Sequence, residues 1–122
     1  MKAQDLRIGN LVYRTNKQTK EKLLIELTAS CILDISANGE NSSFIYKPIP
    51  LTEEILLKAG FERIENNWKV LDCVCLKLSW ERLAGFWVTF ENESIYLPHI
   101  KYLHQLQNLK FSLTNEELTI NL

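Results

Sequence analysis

Apolar and polar positions sort this chain into short alternating stretches, interrupted by two segments of helical spacing. Alternation dominates the first fifty residues. Ile8, Gly9 and Asn10 read as a turn leading into a strand at Leu11, Val12 and Tyr13, and the polar run 16–21 reads as the next turn. Residues 22–35 are β-rich but too long for one simple strand, so a break is expected near 28–30. Asn38 and Gly39 tolerate positive φ and predict a hairpin. Residues 44–46 return as a strand that Pro48 and Pro50 end.

The clearest local signal follows. Thr52 is a good N-cap, and Glu53 and Glu54 complement the positive end of a helix. Leu51 is placed to staple against Leu56, Lys58 stands in the last turn, and Gly60 is placed just past the end with Phe61 folding back on Leu56. A short helix at 53–59 is predicted. Strands at 61–65 and 68–78 then flank a turn at Asn66 and Asn67. In the second of these, Trp68, Val70, Val74, Leu76, Leu78 and Trp80 alternate onto one face, interrupted by Asp72. Residues 86–90 and 94–97 make another hairpin around Asn92 and Glu93, closed by Pro98.

A longer helix is expected from His99 to about Ser112. At about 100° per residue, Tyr102, Leu103, Leu106, Leu109 and Leu113 form one apolar stripe. Leu118, Ile120 and Leu122 alternate with Glu117, Thr119 and Asn121 and suggest a final strand. Sequential hairpins with no run of βαβ units give an α+β class: antiparallel sheet or sheets, with one short and one longer helix packed on them. The N-terminal half is expected to form a small SH3-like partial barrel.

Composition narrows the class without naming a chemistry. The 122 residues fit a single domain, 1–122, and 46% hydrophobic with 24% charged residues excludes a disordered chain. A net charge of −1 excludes a protein-wide attraction to nucleic acid or anionic lipid. The charge is nevertheless uneven: Lys2, Arg7, Arg14, Lys17, Lys20 and Lys22 face only Asp5 and Glu21 in the first 22 residues. No apolar run reaches signal-peptide or membrane-spanning length. With the odd set Cys31, Cys73 and Cys75, that predicts a cytoplasmic protein with free, mostly buried thiols and no membrane partner.

The segments DLRIGNLVY (5–13), KPIPLTEEILLKAGFE (47–62) and YLHQLQNLKFSLTNEELTI (102–120) resemble a family of small uncharacterised proteins from phages, prophages and other mobile elements of Bacteroides and related bacteria. The resemblance implies a bacterial cytoplasm and a mobile-element origin. It carries no activity and no site residues to this chain. It departs from the expected pattern at Asn115, where Gly is expected in the turn after the helix; Asn tolerates the same left-handed conformation.

Candidate chemistry is sparse. Cys73 and Cys75 share a strand face with Leu71 at a spacing shorter than a zinc pair uses, and His99 and His104, though spaced as zinc histidines can be, lie about 140° apart on a helix, so only half of a zinc pattern fits and no metal or cofactor is implied. A thiol nucleophile would need Cys31 or Cys73 beside His104 and an acid such as Asp72, and no activating motif flanks either cysteine. The four glycines are scattered, which excludes a phosphate loop, and no catalytic residue is assigned. Two binding surfaces remain. His104, Gln107, Asn108 and Phe111 mark a helix face distinct from the leucine stripe, suited to recognising a partner; its plainer reading is that His104 and Gln107 satisfy buried backbone groups. Arg14, Lys17, Lys20 and Lys22 surround a predicted hairpin tip near Tyr13 and are the candidate nucleic-acid contacts; the plainer reading is a solvated, lysine-rich turn. Trp80, Phe86 and Trp87 lie within eight residues and offer either a homodimer patch or core packing. The expected function is a non-enzymatic module binding a protein partner. A nucleic-acid-binding module and a small enzyme or nucleotide-sequestering protein are the alternatives.

Overall fold

The computed structural model describes residues 1–73 and 75–121; Val74 and Leu122, both expected at alternating strand positions, lie outside the described residues. The chain divides into two compact units. One comprises Met1–Pro50 with Tyr102–Asn108, and the other Leu51–Lys101 with the segment from Leu109 onward.

In the first unit, strands β1 (Leu11–Asn16), β2 (Lys22–Glu26) and β3 (Phe44–Lys47) form an antiparallel sheet in the order β2-β1-β3. Gly9 enters β1 at φ +96, and the turn between β1 and β2 carries Lys20 at φ +65, so both expected turns are present. The sheet does not close. The strand that the SH3-like reading needed is helix α1 (Ala29–Asn38). Thr28 is its N-cap, with Oγ1 accepting from the Cys31 N–H at 3.4 Å. The cap commits the backbone to a helix despite Ile32 and Ile35, whose β preference is the weaker signal. Asn38 therefore ends a helix instead of opening a hairpin, and Gly39 follows it at φ +49. Helix α1 lies on the sheet face that carries Tyr46: the Tyr46 hydroxyl and the Ser42 hydroxyl both donate to Asp34 on that helix.

In the second unit, β4 (Glu62–Arg63), β5 (Lys69–Asp72), β6 (Leu76–Glu81), β7 (Gly85–Phe90) and β8 (Glu93–Tyr96) form an antiparallel meander in sequence order. Helix α2 (Glu53–Lys58) precedes it and packs against β5. Its ends match the expectation. Thr52 accepts from Ile55 N–H at 3.2 Å, Phe61 N–H donates to Leu56 carbonyl at 3.0 Å, and Gly60 N–H donates to Leu57 carbonyl at φ +92. The turn at Asn66 and Asn67 is also present, both residues having positive φ.

The expected strand 68–78 is two strands. Cys73 and Leu76 exchange backbone hydrogen bonds, and Leu71 faces Leu78 across the resulting hairpin. That turn changes which side chains share a face. Residues directly opposite in an antiparallel pair point the same way, so Lys69, Leu71, Leu78, Trp80, Phe86 and Val88 share one face. Val70, Asp72, Lys77, Ser79, Trp87, Thr89, Ser94 and Tyr96 share the other. Leu78, Trp80, Phe86 and Val88 are buried, so the first face is the core. The turn also removes Cys73 and Cys75 from a strand interior: Cys75 is exposed and Cys73 and Cys31 are half-buried, contrary to the expectation of mostly buried thiols.

The third helix, α3 (Leu103–Thr114), starts four residues later than expected. Residues before it are used elsewhere: Ile100 N–H closes a turn on Leu97 carbonyl, and Tyr102 bridges Pro50. Gln105 Oε1 accepts from Tyr102 N–H at 3.0 Å, one half of a capping box. Leu103 and Leu106 are buried but Leu113 is 42% exposed, so the stripe is covered only at its start. Asn115 ends the helix at φ +60, the left-handed conformation expected of it. No strand forms over the described residues of the C-terminal segment; Leu118 is buried and Asn121 N–H donates to Lys58 carbonyl. Among the described residues no helix is long and apolar enough to cross a membrane.

Candidate functional site

The predicted helix face is largely committed to holding the fold. Gln107 is buried, its Oε1 accepting from Leu11 N–H at 2.8 Å and its Nε2 donating to Gly9 carbonyl at 3.3 Å. Asn108 accepts from Asn10 Nδ2 at 2.8 Å and from Arg7 Nε at 3.1 Å, and donates to Asp5 carbonyl at 3.1 Å. These amides satisfy the backbone where the chain turns into β1, on the side where pairing with β3 begins only at Tyr13; the other side is already paired with β2 at Leu11. Asn10, fully buried, is the hub: its Oδ1 also accepts from Arg7 N–H at 2.7 Å. In the sequence Asn10 reads only as a turn residue; its partners lie about a hundred positions away, so no local pattern exposes the pairing.

His104 is 4% exposed, and its Nδ1 has no hydrogen-bond partner. Its ring stacks on Tyr102 at 6.1 Å between centroids. Burial holds the imidazole below its ordinary pKa, Asp5 opposes that shift, and the N-terminal charge adds to it. Phe111 is half-buried, in the part of α3 that belongs to the second unit.

The four candidate cations do not form one patch. Arg14 lies on the α1 side of the sheet, opposite Leu23 and Tyr46, and stands 4.3 Å over the Phe44 ring. Lys22 lies on the other side, with Nζ 4.1 Å from the Tyr13 ring centroid. Lys17 Nζ donates to the Glu40 carbonyl, and Lys20 stands exposed at the turn.

The thiols sit in different surroundings. Burial works against the Cys31 thiolate, but hydrogen bonds with Thr28 and Tyr46 and the charge of Arg14 prevail and lower its pKa. Tyr46 is pushed up to about 12, first by burial and then by the charges of Cys31 and Asp34. Burial raises the Cys73 thiol, with Lys110 opposing. Cys73 and Asp72 line a cleft of about 560 Å³ with Leu71, Lys110, Leu113 and Leu118; His104 does not line it. No group of three or more His, Cys, Asp or Glu side chains is placed to hold a metal ion among the described residues.

The outward face of the five-stranded sheet carries a feature that the alternation pattern does not show. Trp80 and Phe86 are buried in the core, so the three neighbouring aromatics make no common surface patch. Trp87, of opposite parity, faces outward. Its indole N–H donates to Ala84 carbonyl at 3.0 Å and its ring lies 5.0 Å from Tyr96, which fixes its rotamer. Ile64, Trp68, Val70 and Trp87 line a shallow groove of about 440 Å³, with Lys77, Ser79, Thr89 and Ser94 completing its wall. No local signal in the sequence reveals it: the turn joining β5 to β6, which puts Val70 and Trp87 on one face and Trp80 on the other, carries no glycine, proline or asparagine. No protein-family model, curated protein or solved structure matches this chain.

Proposed function

We propose that the protein is a non-enzymatic binding module that docks a protein partner on the outward face of its five-stranded sheet. The observation that carries this reading is the groove of Ile64, Trp68, Val70 and Trp87, an apolar floor edged by Lys77, Ser79, Thr89 and Ser94. An apolar centre with a polar rim is the anatomy of a protein interface, and tryptophan and tyrosine are favoured anchors there. Trp87 is already fixed by Ala84 and Tyr96, so docking orders little of it. The partner the groove suits offers one or two aliphatic side chains to the indoles and an acidic group to Lys77. A bacterial cytoplasm and a phage or mobile-element origin, which the sequence resemblance implies, belong to the same reading.

The test is a groove-blocking variant. Thr89→Arg places a long cation among the indoles without entering the core, and thermal unfolding checks that it folds. Proteins retained from a bacterial host lysate by the wild type and by Thr89→Arg are compared, and the candidate is purified and titrated against both. The expected result is a purified partner that binds the wild type and is weakened tenfold or more by Thr89→Arg. Equal binding to both removes the groove from the account.

A further inference from the structure

We propose a second binding site, for single-stranded nucleic acid, on the solvent face of the β2-β1-β3 sheet. One face of this sheet takes helix α1, with Arg14 and Tyr46. The opposite face carries Leu11, Tyr13 and Thr15 of the central strand, Lys22, Leu24 and Glu26 of β2, and Ile45 and Lys47 of β3. Lys22, Leu24, Ile45 and Lys47 are all exposed.

Tyr13 is the centre of this surface. The register sets it directly between Leu24 on one side and Lys47 on the other. Lys22 stands over its ring at 4.1 Å, and Lys20 lies just beyond Lys22 in the exposed turn. The acidic groups nearby are Glu26, opposite Leu11 at the far end, and Glu21 in the turn. The middle of the face is therefore an aromatic ring between two cations, with aliphatic shoulders at Leu24 and Ile45.

Charge and shape select the occupant. A base stacks on an aromatic ring whatever its identity, and the phosphates on either side need cations at the ring's margins. Lys47 holds one of those positions beside Tyr13, and Lys22 takes another once a base displaces it from over the ring. An antiparallel strand rises about 3.4 Å per residue, so the six residues of β1 span about 20 Å and suit roughly three nucleotides. A duplex hides its base faces and gains nothing from Tyr13. A protein partner would need an acidic surface and a flat apolar contact instead. On binding, Lys22 leaves the ring and a base takes its place.

The members of this site differ from the group that the sequence suggests: Lys20, Lys22 and the Tyr13 ring stay, Lys47 joins, Arg14 leaves because it is on the wrong face, and Lys17 leaves because its ammonium donates to the Glu40 carbonyl. The site is independent of the groove on the other sheet, so either reading survives the failure of the other.

The experiment is fluorescence anisotropy of a labelled twelve-nucleotide oligothymidylate and oligouridylate with the full chain at low salt. With three phosphates neutralised, log K falls against log salt with a slope of about −2. Lys22→Glu/Lys47→Glu is expected to weaken binding at least tenfold more than Lys2→Glu/Arg82→Glu, which changes net charge equally elsewhere. Tyr13→Phe keeps the ring and retains affinity, whereas Tyr13→Leu loses tenfold. Should Tyr13→Leu unfold, quenching by the oligonucleotide of the indole emission that Tyr13→Trp adds reads the stack directly. No binding at low salt, equal loss in both double variants, or equal affinity for a duplex of the same length overturns the proposal. Binding of an acidic polypeptide but no oligonucleotide overturns it in favour of a protein ligand.

Discussion

Replacing Gln107 with Leu separates a structural amide from a recognition group. The substitution conserves much of the volume and removes two backbone hydrogen bonds to the entry of β1, with the long 3.5 Å one from Asn10 Nδ2. Leu11 N–H, paired at 2.8 Å, loses its acceptor in a part-buried setting, which costs about 1–3 kcal/mol. The bond to Gly9 carbonyl is longer, 3.3 Å, and Gly9 is half-buried, so water replaces much of it at a cost of about 0.5 kcal/mol. The leucine side chain returns part of this by burying apolar surface, about 0.8 kcal/mol per methylene. The net expectation is a loss of about 2 kcal/mol, a large share of a total stability of about 5–15 kcal/mol. In urea, with a slope of about 1–3 kcal/mol per M, the midpoint falls by roughly 1 M at unchanged slope. Hydrogen exchange reports the same change locally as faster exchange of the Leu11 amide. A midpoint within about 0.2 M of wild type, at a slope in the same range, with the Leu11 amide still protected, refutes the structural role of Gln107.

Stability should fall with pH through the histidine range. Burial favours neutral His104, so its folded pKa lies below the unfolded value of 6.5. The contribution is present above 6.5 and is lost as pH falls toward the folded pKa, at up to about 1.4 kcal/mol per pH unit. Urea midpoints at pH 7.5 and 5.5 should differ more for wild type than for His104→Phe; an equal difference counts against this. Among the half-buried thiols, iodoacetamide at pH 7.5 should modify Cys31 before Cys73, because hydrogen bonds and Arg14 favour one thiolate while burial disfavours the other. Thr28→Val should slow Cys31, and a faster Cys73 would contradict the assignment. Gly85→Ala places a Cβ 2.8 Å from Tyr96 Cε1 at φ +83 and should cost about 1–3 kcal/mol in thermal unfolding, the left-handed penalty plus displacement of Tyr96. A neutral effect would mean that this corner relaxes freely.

The parts legible in the sequence are those whose cause is local. Thr52, Gly60 and Phe61 specify helix α2 within ten residues, and adjacent asparagines mark the turn at 66 and 67; the turn expected at Asn92 and Glu93 falls one residue earlier, at Glu91 and Asn92, with Glu93 already paired to Phe90 in β8. Helix α1 is hidden because its isoleucines argue for a strand while the decisive Thr28 cap is a single residue. The turn joining β5 to β6 is hidden because no glycine, proline or asparagine marks it, and that one turn puts Val70 on the opposite face from Leu78 and Trp80, beside which strict alternation places it. The same reversal conceals the groove. The network of Asn10, Gln107 and Asn108 is half legible: Gln107 points toward buried backbone, but its partners are tertiary. The basic cluster dissolves for a simple reason. Successive strand residues face opposite ways, and Arg14 and Tyr13 are neighbours in sequence on opposite faces of the sheet.

Site-specific photo-crosslinking reads the occupant of the groove in place. A photoreactive amino acid is placed at Ser79, inside the groove, or at Arg82, an exposed turn residue that does not line it. Irradiation is carried out in bacterial cells expressing the full chain, and products are identified by mass spectrometry. One recurrent heterologous protein is expected to crosslink from Ser79, to be absent from Arg82, and to be lost when Thr89→Arg is added. Crosslinks from Ser79 only to a second copy of this chain, or the same products from both positions, would contradict a protein partner docked on the outward face of the sheet.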